Sequence, residues 1–182
     1  TITDPKGSVT TFNYDANDNR ISITDAESNV TAYQYNETDL LWKVSDSLGN
    51  ITTYSYDTNQ NLSQITDAKT NSTTYTYDDF DRLFKTTYAD SSYEEYTYDA
   101  NSNLITKKDP KAQTITYTYD ALNRLDLKTY PDNSTVDYIY DVASRLKTVT
   151  DSIGSISYTY DELNRIKAVS YPGTKSISYE YD

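Results

Sequence analysis

The chain has 182 residues and a formal net charge of −12, with 16 basic and 28 acidic side chains. It contains no histidine and no cysteine, which excludes disulfides, imidazole metal ligands and Ser-His-Asp or Cys-His catalysis. The negative charge disfavours nucleic acid as a partner, and no apolar stretch approaches the roughly 20 residues of a membrane-spanning helix. We therefore expect no nucleic-acid partner, no membrane insertion and no cofactor.

A tyrosine followed by an acid or amide recurs along the whole chain. Successive anchor tyrosines are 21 residues apart six times, then 20, then 21. A fixed period of this length predicts one continuous array over residues 1–182, in which each unit stacks on its neighbours. The anchors are Tyr14, Tyr35, Tyr56, Tyr77, Tyr98, Tyr119, Tyr140, Tyr160 and Tyr181. We expect the array to be an excerpt of a longer one.

Each anchor has a second aromatic residue two positions before it, beginning with Phe12 and Tyr33. Residues two apart on a strand share a face, so the pattern predicts a strand ending in Tyr-x-Tyr-Asp. Equivalent tyrosines should then form two rows that repeat about every 10 Å, two strand spacings. The central rows are Tyr56, Tyr77, Tyr98, Tyr119 and Tyr140, and Tyr54, Tyr75, Tyr96, Tyr117 and Tyr138.

Each unit also predicts a first strand, marked by an aliphatic residue five places after the anchor acid, as at Leu62 and Leu146. A second aliphatic residue often follows three places later, as at Ile65 and Val149. Positions three apart lie on opposite faces of a flat strand, so either a bulge realigns them or both faces are partly covered.

Turn-forming residues separate the two strands at both ends of a unit, as in residues 15–19 and 46–50. Strand, turn, strand and turn in one period make each repeat a β-hairpin, and helical periodicity is absent. The predicted fold is all-β, a spiralling and largely antiparallel solenoid of hairpins. Phe80, Phe84, Arg20 and Trp42 depart from the pattern and are interpreted as packing variation between hairpins.

Four arginines occupy the position four after the anchor acid: Arg82, Arg124, Arg145 and Arg165. We expect their guanidinium groups to stack between the anchor aspartates of neighbouring repeats. Because exposed ion pairs contribute less than about 1 kcal/mol each, we expect these pairs to fix the register of the repeats more than to stabilise the fold.

Carboxylates are the remaining candidates for chemistry. The pairs Glu94–Glu95 and Asp78–Asp79 offer the two acids of a glycosidase, but their recurrence at turns favours solvated side chains. Asp15, Asn17 and Asn19 resemble the opening of a calcium loop, but the glycine at its sixth position and the glutamate at its twelfth are missing. We interpret them as turn residues and predict no metal site.

The units Tyr119-Asp-Ala-Leu-Asn-Arg-Leu125 and Tyr160-Asp-Glu-Leu-Asn-Arg-Ile166 resemble the YD-repeat, or Rhs, family. The resemblance implies a secreted or cell-surface location, bacterial or archaeal, and a hairpin sheet like those of bacterial Rhs toxins, insecticidal toxin complexes, wall-associated proteins and teneurins. In those relatives the sheet forms a shell that often holds a C-terminal toxin domain. Their self-cleavage motif is not carried over, because Asp4-Pro5 and Asp109-Pro110 lack its glycine pattern and are interpreted as turns.

Three functions are compatible with these observations. The first is a non-catalytic wall segment of a large YD-repeat protein, with flanking repeats and an encapsulated toxin domain as partners. The second is a self-assembling fibre whose open strands pair end to end, which a proline at Ser178 should stop. The third is a carbohydrate- or protein-binding module that uses the tyrosine face.

Overall fold

The computed structural model describes residues 1–182 and contains eighteen β-strands and no helix, so it has no helix able to cross a membrane. The predicted all-β hairpin fold is confirmed. The strands are β1 (Ile2–Thr3), β2 (Val9–Tyr14), β3 (Arg20–Thr24), β4 (Val30–Tyr35), β5 (Leu41–Ser45), β6 (Ile51–Tyr56), β7 (Leu62–Thr66), β8 (Ser72–Tyr77), β9 (Leu83–Thr87), β10 (Tyr93–Tyr98), β11 (Leu104–Lys108), β12 (Thr114–Tyr119), β13 (Leu125–Thr129), β14 (Thr135–Tyr140), β15 (Leu146–Asp151), β16 (Gly154–Tyr160), β17 (Ile166–Ser170) and β18 (Ser176–Ser178).

The chain forms two compact units, unit 1 over Thr1–Tyr93 and unit 2 over Glu94–Asp182. In unit 1, strands β1 to β9 pair in chain order, each antiparallel to the next. In unit 2, strands β10 to β18 do the same. Each unit is therefore a meander in which every connection is a tight turn. We call the turns that begin with an anchor acid or Asn36 anchor turns, and those at the opposite ends of the strands far turns.

Most of the turns share one backbone geometry. In the anchor turn after Tyr56, the Asp57 N–H donates to the Asn61 carbonyl over 2.9 Å and the Gln60 N–H donates to the Asp57 carbonyl over 3.1 Å. The residue three after the first residue of the turn has positive φ in every such turn, and only a minority of these positions are glycine. This is a type I turn followed by a left-handed residue, the usual short loop of an antiparallel hairpin.

A bulge follows each anchor turn and settles the question of the two aliphatic positions. Tyr54 pairs with Ile65 and Tyr56 with Leu62, so two tyrosines two apart face two aliphatic residues three apart. The extra residue on the bulged strand is Ser63, which has no partner in this ladder. Because the bulge changes the parity, Leu62 and Ile65 lie on the tyrosine side. The same shift occurs in both units.

Burial is slight throughout the chain. No side chain is fully buried, and the lowest exposures are 5% at Val169 and 6% at Thr86. Both residues occupy the second aliphatic position of the pattern, opposite Tyr158 and Tyr75 respectively. Each unit thus packs along its sheet, tyrosine against aliphatic residue, without a second layer. Hydrogen bonds in the turns and between the strands therefore contribute an unusually large part of the stability of this fold.

Candidate functional site: the turn and tyrosine network

The anchor tyrosine hydroxyls donate hydrogen bonds to the backbone of the preceding repeat. The Tyr56 hydroxyl donates to the Leu41 carbonyl over 2.7 Å, and the Tyr140 hydroxyl donates to the Leu125 carbonyl over 3.0 Å. The same contact, fifteen residues back or fourteen for Tyr160, is made by Tyr35, Tyr77, Tyr119, Tyr160 and Tyr181. This role of the hydroxyl was not predicted from the sequence.

The carbonyls that accept these bonds lie beyond the end of the ladder to the next strand. The ladder between β5 and β6 begins at Lys43 and Thr53, so the Leu41 carbonyl lies beyond its end. A carbonyl left without a donor in a partly buried position destabilises the fold, and the tyrosine of the next hairpin supplies the missing donor. The anchor tyrosine therefore combines apolar packing on the sheet with a hydrogen bond that couples consecutive repeats.

The anchor acids organise their own turns. One Asp120 carboxylate oxygen accepts the backbone N–H groups of Leu122 and Arg124 over 2.8 and 3.0 Å. The same pair of contacts forms in turns that close with asparagine, as between Asp57 and the N–H groups of Asn59 and Asn61. Aspartate is favoured here because its short carboxylate reaches the turn's own backbone.

The four predicted arginines each contact the acid of their own turn. In unit 2, Arg124 Nε and Nη2 lie 2.7 and 2.6 Å from one oxygen of Asp120. Arg82, Arg145 and Arg165 contact Asp78, Asp141 and Asp161 in the same way. The ion pairs thus lie within single turns, which differs from the expected stacking between the acids of neighbouring units. The i, i+4 spacing across a tight turn brings the closing residue back to the acid that opens it.

Two of these arginines also contact the next repeat, through the second terminal nitrogen and the face of the guanidinium. Arg124 Nη1 donates to the Ser144 hydroxyl over 3.0 Å, and its guanidinium lies 4.5 Å from the ring centre of Tyr140. Arg145 donates to Asn164 over 2.7 Å and covers the ring of Tyr160. An arginine on an aromatic face is attracted by the ring's negative face. Their role in fixing register stays a prediction.

Asparagine-closed turns make a second kind of bridge. Asn17 and Asn19 both donate to one Asp39 carboxylate oxygen, over 2.9 and 2.7 Å. Asn59 and Asn61 donate to Asp81 in the same manner, and Asn101 and Asn103 donate to Asn123. The acceptor is always the positive-φ residue of the following turn. These donor turns begin at residues 15, 57 and 99, so this bridge recurs every second repeat.

The hydrogen bonds assign the calcium-like residues to turn structure. Both oxygens of Asp15 accept hydrogen bonds from Asn19, and Asn17 and Asn19 point their amides at the next turn. Glu94 binds Lys107 over 3.1 Å and the Tyr96 hydroxyl over 2.6 Å, while Glu95 lies 3.8 Å from Lys108. Asp78 is held by Arg82. These carboxylates are therefore occupied by structural contacts.

The ionisable groups of the network are shifted in two directions. Burial raises the pKa of the anchor tyrosines Tyr56, Tyr77, Tyr119, Tyr140 and Tyr160. Hydrogen bonds from the closing arginine, followed by backbone N–H groups, lower the pKa of Asp120 and Asp141. These tyrosines therefore stay protonated and these aspartates stay ionised at every pH between the lowered aspartate pKa and the raised tyrosine pKa. The predicted rows of equivalent tyrosines at about 10 Å stay a prediction.

The RHS repeat family model matches residues 1–30, 14–51, 35–71, 56–93, 98–135 and 140–176, which together span most of the chain. The chain belongs to the RHS repeat family. None of the curated proteins with which it was compared matches it.

Two solved structures have a fold similar to that of this RHS repeat chain. A crystal structure of TcdB2-TccC3-Cdc42 superposes with a TM-score of 0.74 at 20% identity, over 87% of this chain and 10% of the other. The Photorhabdus luminescens Tc holotoxin pore with the TccC3-D651A mutation gives 0.67 at 14% identity, over 91% and 12%. These likenesses show the fold. The chain spans about a tenth of the length of the structures it matches.

Proposed function

We propose that this RHS repeat chain is a non-catalytic wall segment of a large secreted or cell-surface protein, continued by flanking repeats and enclosing or presenting another module. The observation that carries the proposal is the uniformity of the coupling between repeats. Seven anchor tyrosines make the same hydroxyl-to-carbonyl contact, so each repeat is built to support its neighbour. One residue type used identically along an array is typical of a scaffold.

The thinness of each unit supports the same function. A single sheet without a covering layer leaves both faces available, one for the outside and one for an enclosed module. The carboxylates that could perform chemistry are instead hydrogen-bonded within turns or paired with lysine and arginine. A toxin domain is the module that the family resemblance favours as the enclosed partner.

Protease protection in the full-length natural protein tests the wall function. Residues 36–77 form two complete repeats within unit 1, from one anchor turn to the anchor tyrosine two units later. Deleting them shortens the wall without changing the register of the remaining hairpins. We expect the enclosed module to become sensitive to a protease that the intact protein resists.

The matched control replaces residues 36–77 with a copy of residues 99–140, which has the same length and the same anchor positions. This variant should keep the protection because the wall retains its extent. Equal protease sensitivity of the wild type, the deletion and the replacement would contradict the proposal.

A ligand-binding function has one specific observation in its favour. A cleft of about 390 Å³ in unit 1 is lined by Trp42, Leu40, Tyr56, Ser55 and Gln60, among others. Trp42 is the only tryptophan of the chain and is 40% exposed. An exposed aromatic ring beside hydroxyl and amide groups suits a neutral carbohydrate. Titration with oligosaccharides should change the tryptophan emission if the cleft binds them, and an unchanged spectrum would remove this alternative.

A further inference from the structure

Three consecutive far turns of unit 1 close with an asparagine. Asn29, Asn50 and Asn71 each stand four residues after the acid that opens the turn, and all three are exposed. Each begins the sequence Asn-x-Thr, which is the acceptor for N-linked glycans on surface loops of secreted proteins. Far turns recur every two strands, so the three asparagines follow one another at about 10 Å along one side of the sheet. In unit 2 no far turn closes with asparagine.

The side-chain amide of each of these asparagines has an N–H group to spare. The Asn50 amide donates one hydrogen bond, to Asp46 of its own turn over 2.7 Å, and the amides of Asn29 and Asn71 make the same single contact over 2.9 Å. Because a primary amide has two N–H groups, the second group of each asparagine has no acceptor in the protein. A glycan replaces one amide hydrogen and leaves the other, so modification is compatible with the contact that closes the turn.

The anchor turns of the same unit supply a contrast. Asn61 also begins an acceptor sequence, Asn-Leu-Ser, but its amide donates to both Asp57 and Asp81, over 3.3 and 2.7 Å. The residue is half-buried, and a sugar on its amide would remove one of these two contacts. We therefore expect Asn61 to stay unmodified. The remaining acceptor sequences begin at other turn positions, at Asn36 and Asn133.

The threonine of each far-turn acceptor sequence has no role that the sheet requires. Thr31, Thr52 and Thr73 lie on the tyrosine side, each opposite an aliphatic residue of the preceding strand, and none of their hydroxyls makes a hydrogen bond. The same position in the later repeats is aliphatic, at Ile115, Val136, Ile156 and Ile177. Only Thr10 and Glu94 depart from this division. Packing alone thus favours an aliphatic residue, and a hydroxyl is present in all three places where the acceptor sequence needs one.

We propose that Asn29, Asn50 and Asn71 are acceptors of N-linked glycans. The donor is a glycan carried on a polyprenyl diphosphate. The amide nitrogen forms a bond to the anomeric carbon of the sugar, the bond from that carbon to the diphosphate oxygen breaks, and the amide proton passes to the diphosphate. The inference rests on the proposed secreted or cell-surface function, because this modification belongs to secreted proteins. Three glycans about 10 Å apart would cover the far-turn side of unit 1 with hydrated sugar.

Site occupancy in the natural full-length protein, purified from its own source, tests the proposal. Proteolysis followed by mass spectrometry of the glycopeptides should find glycans on Asn29, Asn50 and Asn71 and an unmodified Asn61. Unmodified peptides at all three far turns, or equal occupancy at Asn61, would overturn the proposal.

A variant of the same full-length protein, produced in the same source, tests the role of the threonine. Thr52→Val removes the acceptor sequence and places the residue type of Val136 at this position, so its circular dichroism should match that of the wild type. We expect the glycan to be lost from Asn50 alone and kept at Asn29 and Asn71. A glycan retained on Asn50 in this variant would contradict the proposed acceptor sequence.

A second variant covers the case in which Thr52→Val does not fold. Asn50→Gln removes the acceptor amide, and the turn should survive because Gln113 closes the equivalent far turn that begins at Asp109. This variant should lack only the glycan of its own turn, and an unchanged glycan content would overturn the proposal. The protease-protection result of the wall segment does not depend on glycans, so the two proposals can fail separately.

Discussion

The hydrogen bond from the anchor tyrosine to the bulge carbonyl gives the sharpest test of how repeats are coupled. Replacing Tyr56 with phenylalanine removes the donor to the Leu41 carbonyl, 2.7 Å away, and keeps the ring. A net hydrogen bond is worth about 0.5–1.5 kcal/mol, and the half-buried carbonyl regains some water. We expect the free energy of unfolding to fall by about 1 kcal/mol. With a urea m-value of about 2 kcal/mol/M, the midpoint should fall by about 0.5 M.

The same strand supplies a matched control. Tyr54 lies two residues earlier on the same face, opposite Ile65, and its hydroxyl makes no hydrogen bond. Tyr54→Phe should therefore leave the urea midpoint within about 0.2 M of the wild type. Unfolding followed by far-ultraviolet circular dichroism measures both variants. Equal losses for Tyr54→Phe and Tyr56→Phe, or no loss for Tyr56→Phe, would refute the assigned role of the hydroxyl.

Three further predictions concern the turns and the ionisable groups. Thr70 has a φ of 68°, which a β-branched residue adopts at a cost, so Thr70→Gly should stabilise the chain by about 0.5–1 kcal/mol and raise the melting temperature, whereas Gly49→Ala, at a φ of 83°, should lower it. Asp141→Asn keeps an oxygen for the turn N–H groups and loses the ion pair with Arg145, so it should destabilise less than Asp141→Ala. Hydrogen bonds from Arg145 lower the pKa of Asp141, so the stability difference between wild type and Asp141→Asn should be complete above about pH 4, shrink as the pH falls further, and vanish once the pH is below the lowered pKa. The raised pKa of Tyr56, Tyr77 and Tyr140 means that their contribution is present below about pH 10 and is lost as the pH rises through the folded-state values, so urea midpoints should fall in strong alkali together with absorbance changes of tyrosinate.

The repeat period and the tyrosine pairs were sufficient to predict the hairpins, because alternation on a strand and turn residues at fixed intervals are local signals. The sequence does not decide whether the strand bulges, because Leu62 and Ile65 are three apart whether the strand bulges or both faces are covered. Pairing register decides between these, and register is a property of two strands. The sequence also does not show which turn residue has positive φ, because Gln60, Thr70 and Ala112 occupy this position in place of glycine.

Contacts between repeats were the hardest part to predict. The sequence predicts that an arginine four residues after an acid contacts the acids of neighbouring repeats. In the structure the tight turn places Arg124 against Asp120 of its own turn, and one remaining nitrogen donates to Ser144 of the next repeat. The tyrosine hydroxyl bonds join residues mostly fifteen positions apart, a separation with no meaning until the hairpin geometry is known. Sequence shows which residues recur, whereas the bonded atoms depend on where each turn places the next strand.

The pairing of donor and acceptor turns has a consequence for how such arrays change length during evolution. Because the strands within each unit pair with their neighbours in sequence, a repeat can be gained or lost without rearranging distant strands. Every anchor turn carries a polar residue with positive φ that can accept such a bond, including Asp18, Gln60 and Ser102 in the turns that donate. A turn that closes with asparagine or arginine can therefore bridge to whichever anchor turn follows it, so arrays of this kind can change length by any whole number of repeats and keep the bridges.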